Sequence, residues 1–538
     1  MASPTLRLDA LVLYKQRPAR VTELGAKKIA IQTENGVSQV RPKDVVVLHQ
    51  GPLRALSDLT SQSGEIKAAW ELLAGSTASL ADVAELAFGD FTPATAWATW
   101  ELMAEGLYFT GSPENIAEGV VARTPAEVEA ELAARAAKAA EEAAWQAFAQ
   151  RMADNTFEPD DRSYLEDVAA LALGQREQSR TLRALGRNET PQEAHALLLA
   201  VGFWTEMVNP HPVRLGMADA DANSPLDTLP DEPRRDLTHL AAWAIDDEGN
   251  TDPDDAISWD DGRLWVHVAD VAALVPPDSA ADLEARARGA NLYLPEGTIH
   301  MLPPAATAQL GLGLTDISPA LSIGITVADD GELGEVEIVP SLVRVTRLSY
   351  AEADERLDET PLAQLTPRFE AAMQRRLENG AVEMDLPEAK IRVVDGAVSI
   401  LPLPTLRSRL LVREAMLMAG EAVARYAVAN EIPLLFTVQE APDLADPAAL
   451  RPTTLSEMFA LRRLLKPGRQ KVDPGPHAGL GLDLYVQVTS PLRRYLDLVA
   501  HQQLRAHVRG QPLLDADALA TRLSAFRAVV GSVRQAER

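Results

Sequence analysis

The chain has no cysteine among its 538 residues. That absence excludes disulfides, thiolate nucleophiles and thiolate zinc sites, and it suits a reducing compartment. No stretch approaches the ~20 consecutive apolar residues of a membrane-spanning helix. Met1 to Arg20 is polar and has no apolar signal-peptide core. A soluble, cytoplasmic protein with no membrane partner is expected, and a monomer. Positive charge is also scarce: 51 basic residues face 78 acidic ones, a net charge of −27. Nucleic-acid binders usually show a basic footprint, so such a partner requires basic charge gathered locally. Two segments gather it: Arg462, Arg463, Lys466, Arg469 and Lys471, and then Arg407, Arg409 and Arg413. Either cluster alone reads as a solvated face. Beyond one Ala/Glu-rich stretch there is no low-complexity tract, and no internal repeat.

What is present is an apolar content of 46%, enough for real cores, and length for three or four domains. Residues 1–60 read as a small β-barrel, with short apolar strands and an Asn35-Gly36 hairpin turn. Residues 64–122 turn helical and then β, as in a winged helix-turn-helix. Ser79 with Asp82 caps one helix of this module, and Thr92-Pro93 opens the next. A helical packing module fits residues 64–122 equally. Residues 123–235 read as a helical connector and linker, led by a long helix from Thr124-Pro125 to about Met152. Residues 236–538 read as one large α/β catalytic domain. The fold class expected is therefore multidomain α+β.

The densest chemistry is a knot of acid: Asp246, Asp247 and Glu248, then Asp252-Pro253-Asp254-Asp255. Carboxylates so close repel one another unless cations or water neutralise them. Oxygen-rich sets suit Mg²⁺, and two such ions about 3.5–4 Å apart serve in-line phosphoryl transfer. Pro253 keeps Asp252 extended, so Asp252 and Asp254 can face one way. Asp261-Gly262 reads as the turn of the strand pair that follows. An exposed acidic loop is the plainer reading. An EF-hand fails, because its glycine and terminal glutamate positions are Thr251 and Ile257.

Thr489-Ser490-Pro491-Leu492-Arg493-Arg494-Tyr495 is the second constellation. Ser490 can cap a helix with Pro491 at its first position, and arginines in that first turn suit an anion. The plainer reading pairs Arg493 with Asp497 on the helix surface. Tyr293, in Asn291-Leu292-Tyr293-Leu294-Pro295, can stack on a base, although a lone tyrosine is more often packed.

Taken in order, these segments resemble the ribonuclease II / ribonuclease R family of 3′→5′ exoribonucleases, whose catalytic unit is the RNB domain. The resemblance covers about residues 237–538. It rests on Ile245-Asp246, Asp252-Pro253-Asp254-Asp255-Ala256, Val266-His267-Val268-Ala269-Asp270-Val271, Tyr293-Leu294-Pro295 and Met301-Leu302-Pro303. It continues through Asp385-Leu386-Pro387-Glu388, Val412-Arg413-Glu414-Ala415-Met416, Thr489 to Tyr495 and Ala536-Glu537-Arg538. The resemblance implies Asp246, Asp252, Asp254 and Asp255 as ligands of Mg²⁺ or Mn²⁺, in two ions, with Asp254 closest to the chemistry. It implies Tyr293 as a clamp on the terminal nucleotide, Arg493 as the grip on the scissile phosphate, and Glu537 near that nucleotide. The implied activity is processive hydrolysis of single-stranded RNA to nucleoside 5′-monophosphates. Arg407 and Arg409, with some of the 462–469 cluster, are expected to line an RNA groove leading to the acid. The N-terminal half resembles the barrel-plus-winged-helix arrangement of some bacterial members, in place of cold-shock domains. No C-terminal OB domain is expected before the sequence ends at Arg538. Gln439 stands where relatives often have histidine, and Thr315–Pro319 lacks an arginine many carry. A non-catalytic RNA-binding regulator on the same fold is the alternative, and a DNA-binding regulator acting through the winged helix is a third.

Overall fold

The structure, a computed structural model, describes residues 6–25, 27–113, 116, 119–443 and 451–538. It divides into two units, Met1–Thr156 and Phe157–Arg538. Among the described residues no helix is long and apolar enough to cross a membrane.

The first unit begins with strands Leu11–Tyr14, Arg17–Leu24, Ile29–Thr33, Gly36–Val40 and Val46–His49. They form one antiparallel sheet with Leu11–Tyr14 between Arg17–Leu24 and Val46–His49. Period-two alternation explains how the sheet serves two cores. Ala10 and Val12 join Val21, Ile29 and Ile31 inside the sheet. Leu11 and Leu13 point the other way, onto Trp70, Val83, Trp100 and Phe109 of the helical module.

That module has helices Ile66–Leu73, Leu80–Phe88 and Pro93–Glu105, and a three-stranded wing of Thr77–Ala78, Val120–Ala122 and Phe109–Thr110. Ser79 and Asp82 make the expected reciprocal cap, and Thr92 caps Pro93–Glu105. The helix Pro93–Glu105 carries Glu101 and Glu105 and no lysine or arginine. That helix therefore offers duplex phosphates no basic side chain of its own. Thr124 caps the long helix Pro125–Ala153, as the Thr-Pro signal predicts.

The second unit opens with helices Arg162–Ala172, Arg180–Ala184 and Pro191–Ala200, which fill part of the expected helical connector. A seven-stranded sheet follows, in spatial order Val345–Ser349, Ala242–Asp246, Asp255–Asp260, Arg263–Ala269, Ser318–Val327, Leu333–Val343 and Arg235–Asp236. Asp261 and Gly262, at φ 37° and 87°, form the tight turn between its central strands. The sheet is buried on both faces. Leu264, Val266 and Val268 meet the helices Leu362–Glu378 and Arg407–Ala429 on one side. Trp265 and Ala269 meet Tyr495–Val508 and Ala516–Ala536 on the other. His267 sits within this sheet with both nitrogens used, Nε2 on Ser258 Oγ at 2.8 Å and Nδ1 on Ser322 Oγ at 2.7 Å. Burial pushes its pKa down to about 3, so it is a neutral structural brace.

Candidate active site

Asp246 ends one strand and Asp255 begins its antiparallel neighbour. Trp243 pairs with Ile257, a register that carries Asp246 and Asp254 to the same end of the sheet. The segment between them is extended around Pro253 and is pinned by its backbone. Leu312 N–H donates to the Pro253 carbonyl at 3.0 Å, and Ala269 N–H to that of Asp254 at 2.8 Å. Asp252 and Asp254 are buried, at 6% and 2% exposure.

The second constellation closes on the first. Arg493 Nε donates to Asp254 Oδ2 at 3.0 Å, and Leu492 N–H donates to Asp254 Oδ1 at 2.8 Å. This corrects the helix predicted from Pro491, which begins instead at Tyr495. The reason is competition for backbone amides. Leu492 N–H is spent on Asp254, and Ser490 N–H donates to Asp497 Oδ2 at 2.9 Å. The Arg494 guanidinium also closes on Asp497, at 2.6 Å. The segment therefore wraps two buried carboxylates as a turn. Arg494, not Arg493, takes Asp497.

Tyr293 joins the same cluster. Its hydroxyl donates to Asp252 Oδ2 at 2.7 Å, and its N–H donates to Glu537 Oε1 at 3.2 Å. The residue as a whole remains 41% exposed. Asp246, Asp255, Tyr350, Glu388, Arg409 and Arg493 are among the residues lining a cavity of about 460 Å³. Arg409 donates to Asp247 at 2.6 Å, with its guanidinium 4.1 Å from the centre of the Tyr350 ring. Arg407 is not brought to this cavity and pairs with Glu370. Residues two apart on a helix point to different faces, so Arg407 and Arg409 do not reach the same cavity. Nor do Arg462, Arg463, Lys466 or Arg469 line it. Arg462 and Arg463 close the last turn of Leu455–Leu464, and Lys466 pairs with Glu440 and Asp443. Gln439 braces a loop, its amide donating to the Lys466 carbonyl and accepting from Gly479 N–H.

Tyr350 and Asn291 are site residues that the sequence pattern did not single out. Tyr350 follows the strand Val345–Ser349, whose parallel register sets Ser349 beside Asp246. The Ser349/Glu352 capping box was the readable signal that a helix starts there.

The electrostatics show a deficit of positive charge. Burial raises the Asp246 carboxyl above its ordinary range. Burial raises Asp254 well above its own, against the pull of Arg493. Asp255 is pushed up to about 7, by burial first and then by the charge of Asp246. Among the described residues no three carboxylates or imidazoles converge on one point as a ready metal cage. Asp252 and Asp254 instead spend oxygens on Tyr293, Asn291, Leu492 and Arg493. The donor set is all carboxylate oxygen and under-compensated, and both properties fit a hard divalent cation.

The RNB domain family matches residues 234–510, and a family described as a double HTH domain matches residues 128–210. The latter falls within the segment expected to be a helical connector. The chain is 34% identical to an uncharacterised ribonuclease of Synechocystis, over 93% of this chain and 82% of that protein. It is 31% identical to the chloroplastic/mitochondrial ribonuclease II of Arabidopsis thaliana, over 65% of this chain and 47% of that one. The chain thus spans about half the length of the Arabidopsis protein. Among solved structures, the exoribonuclease Dss1 of Candida glabrata, determined as an active-site mutant, covers 99% of this chain and 88% of its own, with a TM-score of 0.63. At 16% identity that likeness concerns the fold alone.

Proposed function

This chain belongs to the RNB-domain family of ribonucleases, and on that premise we propose that it is a divalent-metal-dependent 3′→5′ exoribonuclease acting on single-stranded RNA. The observation that carries the reading is the bond from Arg493 Nε to Asp254 Oδ2 at 3.0 Å. It brings a guanidinium and a buried acidic cluster to one place from opposite ends of the domain. A phosphodiester entering there meets both. Asp246, Asp252, Asp254 and Asp255 would hold the ions. Such ions activate the attacking water and neutralise charge on the leaving oxygen.

The residues of the chain do the rest. Arg493 reaches Asp254 through Nε, which leaves its terminal nitrogens to neutralise charge on the phosphate. Tyr293 offers its ring face to the last base, with its hydroxyl anchored on Asp252. Glu537 fixes the Tyr293 backbone. Stacking and backbone contacts imply little sequence preference, and 2′-hydroxyl contacts would select RNA over DNA.

The test is a time course on 3′- and 5′-labelled RNA with and without Mg²⁺. Progressive release of nucleoside 5′-monophosphates from the 3′ end, abolished by chelation, is expected. RNA binding without metal-dependent shortening would instead support the non-catalytic regulator.

Two smaller effects follow. Tyr293→Ala should lengthen the smallest product more than it slows the start on long RNA. A stack worth about 1–3 kcal/mol matters most when few other bases are held. An unchanged limit product removes Tyr293 from the clamp. RNA binding should also weaken with salt despite the net charge of −27, because Arg409, Arg413 and Arg493 all line the cavity. Three phosphate contacts at a single-strand slope predict roughly a twentyfold loss between about 50 and 200 mM salt. Salt-independent binding, measured by fluorescence anisotropy, contradicts the electrostatic part.

A further inference from the structure

Asn291 joins the separate pieces of the site and is itself 1% exposed. Its backbone N–H donates to the Arg493 carbonyl at 3.0 Å. Its side-chain Oδ1 accepts Met301 N–H at 2.7 Å, and its Nδ2 donates to Asp252 Oδ2 at 3.0 Å. The orientation of the amide follows from these partners. A backbone N–H needs an acceptor and a carboxylate needs a donor, so the flipped amide would lose both bonds. The Tyr293 hydroxyl donates to the same Asp252 oxygen, at 2.7 Å. Two donors therefore occupy Oδ2, while Oδ1 of Asp252 accepts no hydrogen bond among the described residues.

We infer that Asn291 is a positioning residue that reserves Oδ2 of Asp252 and presents Oδ1 alone as the oxygen available to a divalent ion. The inference rests on the metal-dependent reading above and deepens it. A carboxylate free to rotate could turn either oxygen, or both, towards a cation. Asn291 and Tyr293 remove that freedom from one side. Asn291 also ties Asp252 to the Arg493 backbone, so the ligand and the guanidinium keep a fixed spacing. Hydrogen-bond partners of metal-ligating carboxylates commonly govern affinity in this way.

The experiment compares wild type with Asn291→Ser, Asn291→Ala and Tyr293→Phe in the full chain. Mn²⁺ binding is read without RNA, from the electron paramagnetic resonance signal of the free ion. The expected result is Mn²⁺ affinity weakened by about 10–100-fold in the Asn291 variants. Tyr293→Phe, which removes only the second donor, should weaken it to a smaller degree. The Mg²⁺ concentration giving half-maximal cleavage should rise in parallel, while in the Asn291 variants KM for RNA at saturating Mg²⁺ stays within about twofold. A purely structural role would lower the melting temperature and leave the Mg²⁺ midpoint in place. Asn291→Ser and Tyr293→Phe keep the test available if Asn291→Ala does not fold. Wild-type Mn²⁺ affinity in the folded variants overturns the role of Asn291 and leaves the parent reading standing. A wild-type chain that binds no Mn²⁺ overturns the parent reading, and this inference with it.

Discussion

Asp254→Asn is expected to abolish RNA cleavage while the protein folds and still binds RNA. The exchange keeps the shape of the side chain, and its remaining oxygen still accepts Leu492 N–H. It removes a buried negative charge whose carboxyl burial pushes well above its ordinary range. The fold should persist with a modest loss of stability, because the new amide NH2 faces Arg493 Nε–H and that bond is lost. Chemistry should fail, because the charge that would hold an ion and orient Arg493 is gone. We expect kcat to fall at least about a thousandfold, roughly 4 kcal/mol of barrier. RNA affinity should stay within about threefold, under about 1 kcal/mol, since the rest of the RNA is gripped elsewhere. Single-turnover cleavage and anisotropy measure the two quantities separately. A variant that cuts within about tenfold of wild type contradicts the role given to Asp254.

The acid cluster was readable in the sequence because it is local. Asp252, Pro253, Asp254 and Asp255 are adjacent, and proline dictates an extended path whatever lies around it. The caps at Ser79, Thr92 and Thr124, and the Asp261-Gly262 turn, were readable for the same reason. What local pattern could not supply is which distant amide meets which carboxylate. Ser490-Pro491 carries every sign of a helix start. Asp254, more than two hundred residues earlier, takes the Leu492 amide, and the helix waits until Tyr495. Tyr350 stayed hidden because only a parallel strand register sets it next to Asp246. The basic clusters misled in the opposite sense. Arg407 and Arg409 look equivalent in one dimension, and a helical step of two sends one to the cavity and the other to Glu370.

The second large effect is expected at Arg493. Arg493→Ala should lower kcat by about 10²–10³-fold, the range seen when one donor to a charged transition state is removed. Arg493→Lys should recover only part of this, because an ammonium cannot bond Asp254 and a phosphate through one planar fork. The alanine variant should also lose stability, since Asp254 would stay buried without its counterion. Breaking a fully buried pair costs about 3–5 kcal/mol. Arg493 is 38% exposed at its side chain, so solvent screening lowers the expectation. Roughly 1–2 kcal/mol is a reasonable figure. The double variant Asp254→Asn/Arg493→Ala separates the two effects. With Asp254 neutral there is no orphaned charge, so the double variant should be more stable than Arg493→Ala alone. Its cleavage should be no slower than that of Asp254→Asn, because the two side chains act on one phosphate as a unit. Chemical denaturation and single-turnover rates on all four proteins close the cycle. Strictly additive losses in both measurements would mean that Arg493 and Asp254 touch without cooperating, and the bond between them would no longer support the active-site reading.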